Sequence, residues 1–301
     1  MNILITGGSG FLGSKIAKNF AMQRQNKIYI FDLKKNKDSK NIFFIKGDIN
    51  NEKKLHKLIL SKKINILMHF AASLGVEETE KNPSKVIMTN IEGTINILNN
   101  IKQTNIKKII FASSSEVYGD NRKKMMSEND LPMPKSIYGH SKIIGEELIK
   151  MYSKLYDIDY NIIRFFNVCG NEQRKDFVIS KFADLIKKNK NITIYGNGNQ
   201  IRSFCHVNDA AKGVTDILLK GKNNETYNVG NNSEPIKIFD LAKLMINISK
   251  KKITIKKIPF IKTDRSAERE IYKRVPNLKK IKDDTNFKPK ISLNSIIKEF
   301  F

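Results

Sequence analysis

The chain of 301 residues is 40% hydrophobic, has two cysteines and carries a formal net charge of +25. That length suits one large α/β domain, or a nucleotide-binding domain with a smaller companion, and no apolar run approaches the ~20 residues of a membrane helix. Cys169 and Cys205 give neither a disulfide framework nor a metal-ligand spacing, and 47 lysines against eight arginines, scattered among Asn and Ile, read as composition and not as a nucleic-acid-binding stripe.

The first ten residues, MNILITGGSG, have no basic leader before the apolar run and turn at once into glycines. They are read as a first strand and not a signal peptide, so a cytoplasmic location is expected. Residues 3–5 form that strand, and a helix is expected from the glycines to about Met22. Between them lies TGGSGFLG, in which Gly7, Gly10 and Gly13 keep GxxGxxG spacing while Gly8, Gly10 and Gly13 keep GxGxxG. Glycines here let backbone N–H groups approach a pyrophosphate at a helix N-terminus. A second strand, 27–31, ends at Asp32, 19 residues beyond Gly13, where an acid can hold an adenosine ribose. Such an acid repels a 2′-phosphate and favours NAD over NADP, a preference softened by Lys34 and Lys35.

Further strands are expected at 42–45, 64–70 and 108–112, alternating with helices at 52–60 and 86–101. The second helix carries Ile87, Ile91, Ile95, Leu98 and Ile101 at helical spacing. This alternation predicts a parallel sheet with crossover helices. The strand at 108–112 runs into FASSSEVYG, which crowds Ser113, Ser114, Ser115 and Glu116 where a buried strand should end. Buried hydroxyls and acids are costly unless something binds them, so these residues either cap the next turn or reach into a site. Downstream, SIYGHSK (136–142) begins a helix expected over 138–155 and sets Tyr138 and Lys142 four apart on one face. A lysine ammonium beside a tyrosine favours the phenolate and lowers a pKa that is ordinarily ~10. A strand follows at 160–165. Beyond residue 170 the pattern is mixed, with short strands at 192–195, 226–229 and 253–258.

TGGSGFLG, Asp48-Ile49, HFAAS (69–73), SSSEVYG, YGHSK and RFFNVCG (164–170) together resemble the extended short-chain dehydrogenases/reductases, in particular their NAD-dependent nucleotide-sugar epimerase/dehydratase group. The resemblance runs from residue 1 to about residue 295. It implies an α/β fold: a Rossmann-type doubly wound parallel sheet over 1–170, with a smaller mixed α/β substrate domain over 171–301 and residues near 205–230 returning to the sheet. It also implies NAD bound by Gly7, Gly10, Phe11, Leu12, Gly13, Asp32, Asp48, Ile49, Ala71, Tyr138 and Lys142. In such proteins a strand-end hydroxyl, here Ser114, hydrogen-bonds the sugar 4-hydroxyl. The tyrosine, here Tyr138, takes its proton as hydride leaves C4, and Lys142 lowers the tyrosine pKa. Glu116 joins the catalytic set. Ser115, Asn167 and the diphosphate arginines Arg202 and Arg274 complete the substrate site, with no metal. Ser113 is read as a turn cap, and His140 and His206 as structural. Cys169 stands where the family usually has Tyr.

Members of such a family part ways once C4 is oxidised. Dehydratases carry an acid after the strand-end hydroxyl, and here that position is Ser115. Decarboxylases carry Thr-Ser-Glu, close to Ser114-Ser115-Glu116, but with a longer insertion than GNEQRKDF (170–177) provides. A 4-epimerase is the favoured reading, with decarboxylation or net 4-dehydrogenation as alternatives. An NAD(H)-binding sensor or scaffold is the non-enzyme alternative, disfavoured because both Tyr and Lys are present. The resemblance further implies a nucleotide-diphosphate sugar as partner, carbohydrate biosynthesis as setting, and a homodimer built on the helices near 86–101 and 138–155.

Overall fold

The computed structural model describes residues 1–34, 36–75, 79, 81–102, 104–121, 123–260 and 267–301. Its first half is built from short apolar strands, each returning through a helix. β1 (Asn2–Thr6) leads to α1 (Phe11–Ala21), β2 (Lys27–Asp32), β3 (Ile42–Lys46), α2 (Glu52–Ser61) and β4 (Ile66–His69). Next come α3 (Pro83–Ile87), α4 (Gly93–Asn99), β5 (Lys108–Ser114), α5 (Ile137–Tyr156) and β6 (Asp159–Phe165). Near-continuous Ile, Leu and Phe in the strands suit a sheet covered on both faces. Along β1, Ile3 and Ile5 join one hydrophobic cluster with Ile16 and Phe20 of α1, while Leu4 joins another with Leu55 of α2, Ile97 of α4 and Ile149 of α5.

The second half adds β7 (Val168–Cys169), α6 (Val178–Lys187), β8 (Ile192–Tyr195), β9 (Ile201–Arg202), β10 (Cys205–His206), α7 (Val207–Lys220) and β11 (Glu225–Val229). Then come β12 (Ile236–Lys237), α8 (Ile238–Ser249), β13 (Ile255–Ile258), β14 (Lys273–Arg274), α9 (Lys279–Thr285) and α10 (Leu293–Lys298). The main sheet has seven parallel strands in the order β11-β6-β5-β4-β1-β2-β3. Chain direction across the sheet reverses between β1 and β4, the crevice where doubly wound sheets bind dinucleotides. β11 supplies an outer strand although the chain has by then visited the second lobe. That lobe has its own core, in which Phe182, Ile186, Ile194, Leu241, Met245 and Ile296 pack together.

Two local expectations change. β5 continues through Ser113 and Ser114, so both serines belong to the strand and not to the turn after it. The single helix expected over 86–101 is instead α3, a π-helical segment at Met88–Glu92, and α4. Asn90 within the π segment is buried and accepts from Ser73 N–H at 2.7 Å; its amide donates to Ser73 O (3.1 Å) and Ser141 Oγ (3.0 Å). Satisfying a loop and a neighbouring helix from one turn accounts for the local departure from α geometry. No helix among the described residues is long and apolar enough to cross a membrane.

Candidate active site

The glycine turn between β1 and α1 is shaped by close backbone approach. Gly7 has φ +70°, and a Cβ there would stand 2.6 Å from Ala71 N; a Cβ on Gly13 would stand 2.6 Å from Gly7 O. Gly10 caps α1 without any side-chain hydrogen bond, so no capping side chain occupies the N-terminus of the helix. At the tip of β2, Asp32 accepts from Ser9 N–H and Lys34 N–H, both at 3.0 Å, which sets its carboxylate at the rim of the cradle. Phe11 and Leu12 open α1, and Leu12 packs on the core. Asp48 is exposed after β3 and accepts from Asn50 N–H, whereas Ile49 is buried against Gly93. Lys35 lies outside the described residues.

At the end of β5 the three serines take three different roles. Ser113 is buried and donates to Glu146 Oε1 at 2.5 Å. Ser114 accepts from Glu116 N–H, so the capping expected of Ser113 falls to Ser114. Ser115 is 1% exposed, inside the 3-10 turn Ser115–Tyr118. Glu116 accepts from Ser136 Oγ at 2.8 Å and meets Arg274 Nη1 at 3.4 Å. Ser136 also caps α5 by accepting from Gly139 N–H, which fixes the start of the helix that carries Tyr138 and Lys142.

Tyr138 is not held as an easy base by its surroundings. Burial of the hydroxyl, and then the nearby Glu116 carboxylate, raise its pKa above the ordinary tyrosine range, while hydrogen bonding from Ser114 and the charge of Arg274 act the other way. Lys142, expected to lower the Tyr138 pKa, is not among the groups that shift it. Its Nζ donates to Ala112 O at 2.8 Å and sits 5.8 Å from the Tyr138 ring centre and 5.0 Å from that of Phe111. Burial lowers the Lys142 pKa to about 8, opposed by the charge of Glu146.

Arg202 and Arg274 converge from the second lobe. Arg202 donates to Glu270 Oε1 at 2.7 Å, and its pKa is lowered to about 9 by burial and then by the charge of Arg274. Arg274 Nε is buried without a hydrogen-bond partner. Asn167, at φ +35°, donates to Ser203 O at 3.0 Å. Cys169 on β7 is buried, and its thiol contacts Cys205 O on the paired strand β10. His140 is exposed and its ring bonds Ser136 O, while His206 caps α7.

The sequence profile of the NAD dependent epimerase/dehydratase family matches residues 3–230. The chain belongs to this family. It is therefore an NAD-dependent enzyme of the extended short-chain dehydrogenase/reductase type. A putative UDP-glucose 4-epimerase of Methanocaldococcus jannaschii is 35% identical over 98% of this chain and 96% of its own length. A dTDP-D-glucose 4,6-dehydratase of Dictyostelium discoideum is 34% identical over 82% of this chain and 62% of its own length. The crystal structure of a Bacillus cereus UDP-glucuronic acid 4-epimerase, in complex with UDP-glucuronic acid and NAD, superposes with a TM-score of 0.90 at 28% identity, covering 100% of this chain and 98% of that one.

The residues of this epimerase/dehydratase fit the family's dinucleotide. Gly7 and Gly13 leave no room for side chains, the N-terminus of α1 carries no capping side chain in the way of a pyrophosphate, and an acid stands at the tip of β2 for a ribose. Reading the sequence missed Glu270, Ser136, Asn90 and the buried pair of Glu146 and Arg164, and it took Ser113 for a turn cap where it lies in β5 bonded to Glu146. Only Glu146 had a local signal, since it continues the four-residue spacing of Tyr138 and Lys142 along α5.

Proposed function

We propose that this chain is a nucleotide-diphosphate-sugar 4-epimerase that works through a 4-keto sugar, with a UDP-sugar as its substrate class. The observation that carries the reading is the joining of Tyr138, Ser114, Glu116 and Arg274 into one connected cluster, with Arg202 beside it. Ser114 orients the sugar 4-hydroxyl and Tyr138 takes and returns its proton. Lys142 holds positive charge beneath that step and would hold the nicotinamide ribose of the bound cofactor. The cofactor supplies hydride acceptance and return. Arg202 and Arg274 grip the diphosphate, a task suited to planar guanidiniums, with Asn167 as a further ligand. Release of the 4-keto sugar is resisted by a site anchored this firmly to the nucleotide, which lets the hexose turn before hydride returns.

Elimination of water is disfavoured because the residue after Ser114 is a buried serine and Glu116 is engaged by Ser136 and Arg274. We assign cofactor binding to residues 1–170 and nucleotide-sugar binding to 171–301, the latter leaning on β11 in the main sheet. An exposed apolar set on α3, the π segment and α5 (Ile87, Met88, Ile144, Met151 and Leu155) supports a homodimer through these helices. A cytoplasmic location and a place in carbohydrate biosynthesis belong to the same proposal.

The test is incubation with NAD and a panel of UDP-glucose, UDP-glucuronate, UDP-N-acetylglucosamine and dTDP-glucose, read by chromatography and mass spectrometry. A product of unchanged mass and new retention time is expected. Loss of carbon dioxide, water or two hydrogens would reassign the enzyme as a decarboxylase, dehydratase or dehydrogenase.

A further inference from the structure

Tyr138, Lys142 and Glu146 succeed one another at four-residue spacing on α5, so their side chains form a row along one face. The third member is fully buried. Its carboxylate accepts three hydrogen bonds: Ser113 Oγ at 2.5 Å, Arg164 Nε at 2.9 Å and Arg164 Nη2 at 2.7 Å. Ser113 and Arg164 are themselves register partners on β5 and β6. Arg164 is locked from behind as well, lying 4.8 Å over the Tyr118 ring and donating to Glu128 O at 3.3 Å. Tyr118 in turn donates to Asn228 Oδ1 at 2.6 Å.

A buried ion pair of this kind is weak evidence for stability, because an apolar replacement of similar volume is often as stable. Its position is more informative. Ser113 immediately precedes Ser114 at the strand end, and Glu146 lies one helical turn beyond Lys142. The groups facing Lys142 are few. From β5 come the Ala112 carbonyl and the Phe111 ring; from α5 come Tyr138 and Glu146. From β4 comes His69, whose pKa burial and then Lys142 lower to about 3, so that it is neutral. Glu146 is thus the negative charge supporting a lysine that burial would otherwise discharge.

We propose that Ser113, Glu146 and Arg164 form a positioning device for the catalytic pair, in which Arg164 and Ser113 fix the Glu146 carboxylate one helical turn from Lys142, where its charge supports the ammonium that Ala112 O holds near Tyr138. The carboxylate pairs directly with Arg164, while Lys142 Nζ is hydrogen-bonded to Ala112 O one turn away along α5. The Ser113 hydrogen bond also ties the strand end that presents Ser114 to the helix that presents Tyr138. This proposal rests on the reading of Tyr138 and Lys142 as the reacting pair.

The test uses the whole chain labelled with [ε-13C]lysine and followed by NMR across pH. Wild type should show a lysine titrating near pH 8, far below the ~10.4 of exposed lysines, and Lys142→Met should remove that signal and so assign it. In Glu146→Gln the midpoint should fall by about one pH unit or more. The alkaline limb of kcat should fall with it, and activity should be partly restored at lower pH. An unchanged midpoint in a folded Glu146→Gln protein would overturn the proposal, because a merely structural role lowers activity without moving a titration. If Glu146→Gln fails to fold, Glu146→Asp keeps the charge but withdraws it by one methylene. Its Lys142 midpoint should then fall by a smaller, measurable amount, and no movement would again overturn the proposal. The titration needs neither cofactor nor sugar. Failure to convert any sugar would therefore count against the epimerase reading while leaving this proposal to the lysine signal.

Discussion

Arg202 and Arg274 are register partners on adjacent parallel strands, β9 and β14, with Arg202 buried and Arg274 partly exposed. Glu270 and Glu116 compensate them from either side, at 2.7 and 3.4 Å. A diphosphate would replace carboxylate partners with oxygens that match both forks. Arg202→Met or Arg274→Met should raise KM for the nucleotide sugar about 30-fold or more, corresponding to the ~2 kcal/mol or more that truncating one partner of a buried charge pair costs. Steady-state kinetics checks this, and a loss confined to kcat would place the diphosphate elsewhere.

Tyr138→Phe removes the proton acceptor and leaves the glycine cradle untouched. Turnover should fall about 10²- to 10⁴-fold, the usual contribution of a positioned acid–base group, while NADH binding followed by fluorescence stays close to wild type.

The Glu116 carboxylate is a like charge facing the Tyr138 phenolate and raises its pKa. Glu116→Gln should let Tyr138 ionise more easily. The acid limb of the kcat/KM profile, which reports the free enzyme's base, should then move to lower pH. A limb moving to higher pH would mean that Glu116 supports the phenolate through Ser136 or Arg274 instead of opposing it.

His69 lies between two threonines: its Nδ1 bonds Thr6 Oγ1 at 2.8 Å and its Nε2 bonds Thr94 Oγ1 at 3.0 Å. Thr94 donates to Asn90 O, so the ring is the Nε2–H tautomer. Its folded pKa of about 3 is below that of an unfolded histidine near 6.5. Between those values the unfolded chain binds a proton that the native protein does not, so stability falls as pH drops through this window. From pH 7 to pH 5 the loss should be about 2 kcal/mol by urea unfolding, and His69→Gln should flatten that dependence.

Met151 and Leu155 are 65% and 69% exposed on α5, a wide margin for large apolar side chains on a helix. In the proposed homodimer, Met151→Glu with Leu155→Glu should convert the dimer into a monomer in analytical ultracentrifugation, and a wild-type chain that sediments as a monomer would overturn the homodimer. An unchanged sedimentation coefficient would move the interface away from this helix.

Legibility followed range along the chain. The glycine turn, Asp32, the serine cluster and the Tyr138–Lys142 pair are local patterns, and the seven-stranded sheet follows from alternating apolar runs. The partners that give those residues their character come from far away. Glu270 meets Arg202 across 68 residues, Arg274 meets Glu116 across 158, and Thr6 meets His69 across 63. No spacing rule connects such positions. The π segment escaped for a related reason: its isoleucines keep helical spacing, while the pull on Asn90 comes from Ser73 and Ser141. Ser113 was misassigned because the strand runs two residues further than the apolar run suggests.

The position of β11 also constrains how the chain can be made and cut. Residues 1–170 look like a self-contained nucleotide-binding unit, yet β6 pairs with β11 along Asn161–Phe165, and Asn161 spends its amide on Lys222 O and Glu225 O. A nascent chain that has emerged only to residue 170 therefore presents β6 as a bare edge, open to pairing with any other strand. Its sheet closes only when residue 229 arrives, after α6 and β8 of the second lobe but before α8 and α10 have been synthesised. The main sheet is thus completed from beyond residue 170, and a fragment cut at the apparent boundary should aggregate instead of behaving as a domain.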